Sequence, residues 1–336
     1  MTDRHELKDS RRLDAGDALP AWRQAARAFA SAVESGRLDL PLPGSGATGE
    51  RWAAFADLAE DDLSLARLGE GHADAVAILA ELDGPPPAPG SRWGVWAANP
   101  PGPNVTASRE GGTWVLRGTK QYCSGARVCT HALVTAAAGD DALLFAVPVD
   151  GLEPREGTWP ATGMAGSDTL DVGFPAIAAE PIGPPGGYTS RPGFSHGGVG
   201  VAACWYGGAR GVARALLGAA AKRDIGPHAL AHLGAVDIAL RTARAALARA
   251  AAEIDADPRD LRGQGALRAL RVRALTEAAA TDVLARTGRA LGAGPLSHDE
   301  AHSRAVADLT VYLRQHHAER DLARIGELVA AQGADW

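Results

Sequence analysis

The stretch Val105-Thr-Ala-Ser-Arg-Glu-Gly-Gly-Thr-Trp-Val-Leu-Arg-Gly-Thr-Lys-Gln-Tyr-Cys-Ser-Gly-Ala126 decides how the chain is read. Residues 105–109 and 113–117 are short β-type runs, and Gly111-Gly112 between them supplies the two positive-φ positions of a tight hairpin turn. Residues 91–98 alternate as a strand does. Residues 132–138 and 142–149 are further β-type runs about the turn Gly139-Asp140-Asp141, and 170–174 continue the pattern. Several short strands joined by Gly-rich turns predict a small antiparallel β-barrel or sandwich over residues 91–192.

Upstream, Gly84-Pro85-Pro86-Pro87-Ala88-Pro89-Gly90 forbids helix and reads as a linker. Before it, in a zone spanning 1–90, residues 19–33 and 55–82 carry apolar side chains at helical spacing. Downstream, residues 193–336 hold four Ala/Leu/Arg-rich periodic segments, 199–223, 230–255, 264–291 and 301–331. They are separated by Ile225-Gly226-Pro227, Asp257-Pro258 and Gly292-Ala293-Gly294-Pro295. Four helices on short loops pack most naturally as an antiparallel bundle. The expected class is α+β: a shortened N-terminal helical domain, a middle antiparallel β-barrel or sandwich, and a C-terminal four-helix bundle.

The 336 residues are 46% hydrophobic and 22% charged, which excludes disordered and fibrous chains. A net charge of −6 suits nucleic acid poorly. Cys123, Cys129 and Cys204 form no Cys-x-x-Cys pair, so neither a disulfide scaffold nor a thiolate zinc site is expected. Residues 1–12 are polar and precede no apolar run, and no uninterrupted apolar stretch is long enough to span a bilayer. A cytoplasmic protein is the expectation.

The order helices, β-domain, helical bundle is itself unusual, and local motifs give it a name. Gly118-Thr-Lys-Gln-Tyr-Cys-Ser-Gly-Ala126 resembles the strand motif Gly-x-Lys-x-Trp-Ile-Thr-Asn-Gly/Ala of the acyl-CoA dehydrogenases. Met164-Ala-Gly-Ser-Asp-Thr-Leu-Asp-Val-Gly-Phe174 resembles their Gly-x-x-Gly-Ser-Asp-Thr…Leu-x-Phe segment. Lys222-Arg-Asp-Ile-Gly-Pro227 and Leu291-Gly-Ala-Gly294 resemble two further segments that complete a neighbouring subunit's flavin site. The resemblance implies FAD as cofactor, a small acyl substrate such as a thioester, and a homodimer or homotetramer. It implies that Tyr122 lies against the flavin ring and that Ser124 bonds flavin N5, with Cys123 between them offering its backbone. It gives Arg223 to the pyrophosphate, Arg289, Gly292 and Ala293 to the partner's cofactor, and Ala97, Ala98 and Asn99 to the loop that approaches flavin and substrate.

Two departures stand out. The family's Thr-Glu-Pro…Gly-Ser loop has become Ala98-Asn-Pro-Pro-Gly-Pro103, and its catalytic carboxylate is missing. Counting on from Asp308 puts His316 where that Glu would stand. An imidazole there serves near neutral pH as base or donor, and relatives that oxygenate also use a His from the last bundle helix. Three functions are therefore open: a dehydrogenase acting on an acyl CH–CH bond, a flavin-dependent monooxygenase, or a degenerate flavin- or partner-binding homologue.

Plainer readings stand beside each residue. Tyr122 and Ser124 are otherwise strand-end packing, and Arg223 a cation favoured at a helix C-terminus. His316 is otherwise a polar helix residue. The i,i+4 pairs His228/His232 and His298/His302 lack a third ligand and the Glu of a His-Glu-x-x-His site, so no metal is expected.

Overall fold

The computed structural model describes residues 19–102 and 104–333; the reading of residues 1–12 falls outside them. Among the described residues three helices come first: α1 (Ala21–Glu34), α2 (Thr48–Asp61) and α3 (Leu63–Glu81). The periodic run 55–82 is divided at Asp62, whose side chain accepts from the amides of Ser64 and Leu65 and so starts α3 afresh. The proline-rich segment after α3 carries no helix.

Seven strands follow: β1 (Trp93–Trp96), β2 (Val105–Glu110), β3 (Thr113–Cys123), β4 (His131–Ala138), β5 (Asp141–Pro148), β6 (Glu153–Arg155) and β7 (Leu170–Pro181). The β2–β3 hairpin closes with Glu110 opposite Thr113, and Gly111 and Gly112 take φ of 58° and 91°. The expectation of a purely antiparallel sheet fails at one edge. β1 pairs with β4 in parallel, as does β2 at Thr106–Ala137, so the sheet is mixed. β1 and β4 can run parallel because the β2–β3 hairpin and the loop after it form the long connection that parallel pairing needs.

The C-terminal helices are α5 (Pro192–Lys222), preceded by the single turn α4 (Gly187–Ser190), then α6 (Gly226–Ala256), α7 (Gly265–Leu291), the short α8 (Gly294–His298), α9 (Glu300–Tyr312) and α10 (Glu319–Gln332). α5 packs on α2, α6, α7 and α9. A single helix over 301–331 does not form. A 3-10 turn ends α9, His316 is extended, and Ala318 takes φ 47° to begin α10. The core has a helical part around Phe29, Phe55, Trp205 and Tyr312, and a β part around Trp96, Phe145 and Phe174. Between them Ile78 and Leu79 of α3 seal against Trp93, Leu133 and Leu144. Among the described residues no helix is long and apolar enough to cross a membrane.

Candidate functional site

The end of β3 is where the chain departs from a plain ladder. Its register against β7 shifts between Lys120 and Cys123, a bulge that turns Tyr122 out of the sheet. Tyr122 sits at φ 59°, an uncommon conformation for a non-glycine residue, and its side chain stays 52% exposed. Cys123 turns the other way into the β core, its thiol hydrogen-bonded to the Lys120 carbonyl at 3.3 Å and its pKa pushed well up by burial. It offers a ligand no reactive sulfur, only backbone.

Ser124 is buried and its hydroxyl lies 2.9 Å from that of Thr169. Its carbonyl accepts from the indole of Trp96 at 2.9 Å, which ties the end of β1, and hence Ala97, Ala98 and Asn99, to the end of β3. That loop is fastened again by Asn104, which donates to Asn99 and accepts from Lys120 Nζ at 3.1 Å. Lys120 is almost wholly buried with no carboxylate beside it. It donates also to the Thr135 carbonyl and hydroxyl, and desolvation pulls its pKa down to about 8.

His316 lies on the loop between α9 and α10. Its Nδ1 accepts from the Ala318 amide at 3.2 Å, so the neutral ring carries its hydrogen on Nε2. Nε2 has no hydrogen-bond partner among the described residues, the Asp321 carboxylate standing 3.8 Å away. Burial pulls its pKa down and keeps the ring neutral. Trp205 meets His316 edge-on, with centroids 6.3 Å apart, and meets Tyr312 likewise at 6.4 Å. The Arg273 guanidinium caps the Trp205 ring at 4.7 Å and donates to the carbonyls of Gly198 and Gln315, fixing the loop just before His316. His317 points outward and pairs with Asp321.

α3 touches both places. Leu68 packs where a Cβ on Gly125 would stand, and its neighbour Arg67 lies close enough to Cys204 and Tyr312 to perturb both. Arg67 pairs with Glu70 at 2.6 Å and Arg51 with Asp74 at 3.0 Å. Desolvation holds the Glu70 carboxyl up at about 7. The sequence reading missed these residues, since isolated charges on a helix default to solvent; only their place on the apolar α3 stripe could have flagged them.

The remaining expected residues are elsewhere. Arg223 ends α5, Arg289 is near the end of α7, and Gly292 and Ala293 follow it; all four are exposed. Within one protomer they are not joined to Tyr122 or Ser124. His228 and His232 lie at the exposed start of α6, and no cluster of three or more metal-ligating side chains occurs among the described residues.

The turn carrying Ser167 is clamped by α9. Asp308 accepts from the Met164 amide at 2.5 Å, and a hollow of about 510 Å³ lined by Ser64, Gly166, Ser303, Arg304 and Asp308 opens beside it. Burial raises the Asp308 carboxyl to about 6, opposed by the Met164 amide and Arg304 and aided by Asp62. The folded protein thus keeps a proton that the unfolded chain releases near pH 4. This contribution to stability is full below that pH and lost as pH rises through about 6. Asp308→Asn has no such loss. Its stability relative to wild type, from urea unfolding, is expected to improve between pH 4 and pH 7 by about 2–3 kcal/mol at most.

No protein-family model and no curated protein matches the sequence. Solved structures do match its shape. Methanesulfinate monooxygenase MsuC from Pseudomonas fluorescens superposes with a TM-score of 0.73 at 19% identity, over 94% of this chain and 97% of that one. Dibenzothiophene monooxygenase TdsC from Paenibacillus sp. A11-2 gives 0.70 at 18%, over 91% and 95%. Nitrososynthase from Micromonospora carbonacea var. africana gives 0.72 at 20%, over 95% and 99%. The chain has the acyl-CoA dehydrogenase fold. The mixed sheet lies between the two helical parts in sequence, while those parts share one core, and the break at His316–Ala318 falls in the last stretch of C-terminal helices.

Proposed function

We propose that the protein is a flavin-dependent monooxygenase whose ring site is Tyr122–Ser124 and whose donor is His316. The observation that carries this is the hydrogen bond from the Ala318 amide to His316 Nδ1, which assigns the ring hydrogen to Nε2. A dehydrogenase needs a base to take the substrate's α-proton, but the lone pair of His316 is engaged by the Ala318 amide, leaving an N–H at Nε2. That arrangement offers a hydrogen bond at Nε2 and no free lone pair with which to remove a proton. The similar structures support the same direction: two are monooxygenases by name, and TdsC has also been crystallised with FMN bound.

The residues fit a flavin ring. Tyr122 presents an exposed aromatic face on a strained backbone, a conformation that clusters at ligand clamps. Ser124 offers a hydroxyl beside it, and the loop 97–99 is held alongside by Trp96 and Asn104. When bound, the reduced flavin supplies the electrons that activate dioxygen. Tyr122 orients the ring; His316 holds a proton at Nε2 beside Trp205, with the Asp321 carboxylate 3.8 Å away; Arg273 keeps Trp205 and the loop in place.

FMN suits the protomer better than FAD. FMN is the flavin crystallised with TdsC, and it requires no pyrophosphate site. Exposed Arg223, Arg289, Gly292 and Ala293 enter the reading only through a second copy of the chain, as a homodimer or homotetramer.

The test loads the protein anaerobically with reduced FMN, admits ¹⁸O₂, and presents methanesulfinate, dibenzothiophene and indole in turn. One labelled oxygen in a product is expected. Anaerobic bleaching of the oxidised, flavin-loaded protein by an acyl-CoA would overturn the reading in favour of dehydrogenation.

A further inference from the structure

We infer that Ser167 and Thr169 are positioning residues that set the direction of the Ser124 hydroxyl, passing its hydrogen either inward to the protein or outward to the flavin. This rests on the flavin site proposed above. Ser124 Oγ lies 2.9 Å from Thr169 Oγ1, Thr169 Oγ1 lies 2.8 Å from Ser167 Oγ, and Ser167 Oγ donates to the Met164 carbonyl at 2.8 Å. All three side chains are buried. The chain has three contacts and three hydrogens. Its inner end is a carbonyl, which only accepts. Ser167 therefore donates to Met164, Thr169 to Ser167, and Ser124 to Thr169. Ser124 then has no hydrogen left for a ligand.

Outward donation needs each hydroxyl to turn one step. Ser167 donates to Thr169, Thr169 to Ser124, and Ser124 to the flavin. No heavy atom moves. The Met164 carbonyl is not orphaned, because the Ser167 amide also donates to it at 3.0 Å. The surroundings are fixed: Met164 and Asp168 hold left-handed conformations, Gly125 N donates to Ser167 O at 2.8 Å, and the Asp168 carboxylate grips the Arg127 amide at 2.7 Å. Hydroxyl rotation is the freedom that remains. One bond is exchanged for another, so the Ser124–flavin bond adds little net affinity in the wild type.

Removing the Ser167 hydroxyl takes away the inward alternative. Thr169 then turns to Ser124, whose hydrogen is free for the flavin at no cost. FMN titrations of the full chain by fluorescence quenching test this on wild type, Ser124→Ala, Ser167→Ala and the double variant. Ser167→Ala is expected to bind FMN about fivefold tighter than wild type, the factor one hydrogen bond of usual net strength represents. That gain should vanish in the double variant, while Ser124→Ala alone shifts affinity by less than about twofold, the exchange of bonds being near balance. Thr169→Val should follow Ser167→Ala, and Thr169→Ser, which restores the hydroxyl, should follow wild type. If Ser124→Ala weakens FMN equally in both backgrounds, or Ser167→Ala gains nothing, the inference is overturned and the flavin site stands. A wild-type protein that binds no flavin overturns both.

Discussion

His316→Ala is expected to lower formation of oxygenated product by roughly 10²–10³-fold, the usual scale for removing one positioned hydrogen-bond donor, with FMN affinity nearly unchanged. The two effects separate because His316 sits against Trp205 on the α9–α10 loop, whereas Tyr122 and Ser124 belong to the end of β3. His316→Gln sharpens the result. A carboxamide supplies an N–H donor where the imidazole Nε2 stands but holds it on a more flexible side chain. Partial recovery in Gln over Ala means that the hydrogen bond itself matters; Gln as poor as Ala would remove hydrogen-bond donation as the role of His316. Loss of FMN binding in His316→Ala would show that the imidazole holds the cofactor instead, and unchanged turnover would remove His316 from the chemistry.

Glu70→Ala is expected to cost about 3–5 kcal/mol of folding free energy, the scale for taking one partner from a buried ion pair. Arg67 would be left buried beside Cys204 and Tyr312 with its ion-pair partner gone, only Asp74 (paired to Arg51) remaining as a nearby carboxylate, and with Nε already lacking a partner among the described residues. Removing both charges together, as Arg67→Met with Glu70→Leu, should cost far less, since apolar replacement of a buried pair is often near neutral. Urea midpoints for the single and double variants decide this at pH 8.5, where the Glu70 carboxyl, raised to about 7, is ionised. A double variant as unstable as Glu70→Ala would mean that the helical core depends on the pair's attraction and not merely on avoiding a lone charge.

How far the sequence could be read depended on whether each feature was local. The β2–β3 hairpin was legible because Gly111-Gly112 serves its own two neighbours, and the β4–β5 turn for the same reason. The parallel β1–β4 edge was not, because its partners are about forty residues apart and neither strand carries a mark of direction. The end of α3 was plain from the prolines. The end of α9 was hidden: Ala318 adopts φ 47° with no Gly or Pro to announce it, held by the Ala318–His316 contact and the capping interactions of Asp321. Asp62 was a readable cap that apolar periodicity on both sides obscured. At the candidate site, the strand motif brought Tyr122 and Ser124 to notice, but Trp205 and Arg273 meet the His316 loop only through the packing of helices distant in sequence. The hydroxyls of Ser167 and Thr169 lay inside a recognised segment, yet their connection to Ser124 is a matter of three dimensions.

The glycines of α5 carry a consequence for how the protein comes together. A Cβ at Gly207 would stand 2.1 Å from the Ala56 carbonyl oxygen, and one at Gly211 2.7 Å from that of Glu60, so α2 lies directly on the backbone of α5. Glycine inside a helix costs about 1 kcal/mol relative to alanine, and Gly200, Gly207, Gly208 and Gly211 fall within one stretch of α5. That stretch is poorly helical by itself and gains its stability from the α2 contact. The two helices therefore behave as one cooperative unit that assembles or melts together, and the central helix of the fold is among the elements least able to form first.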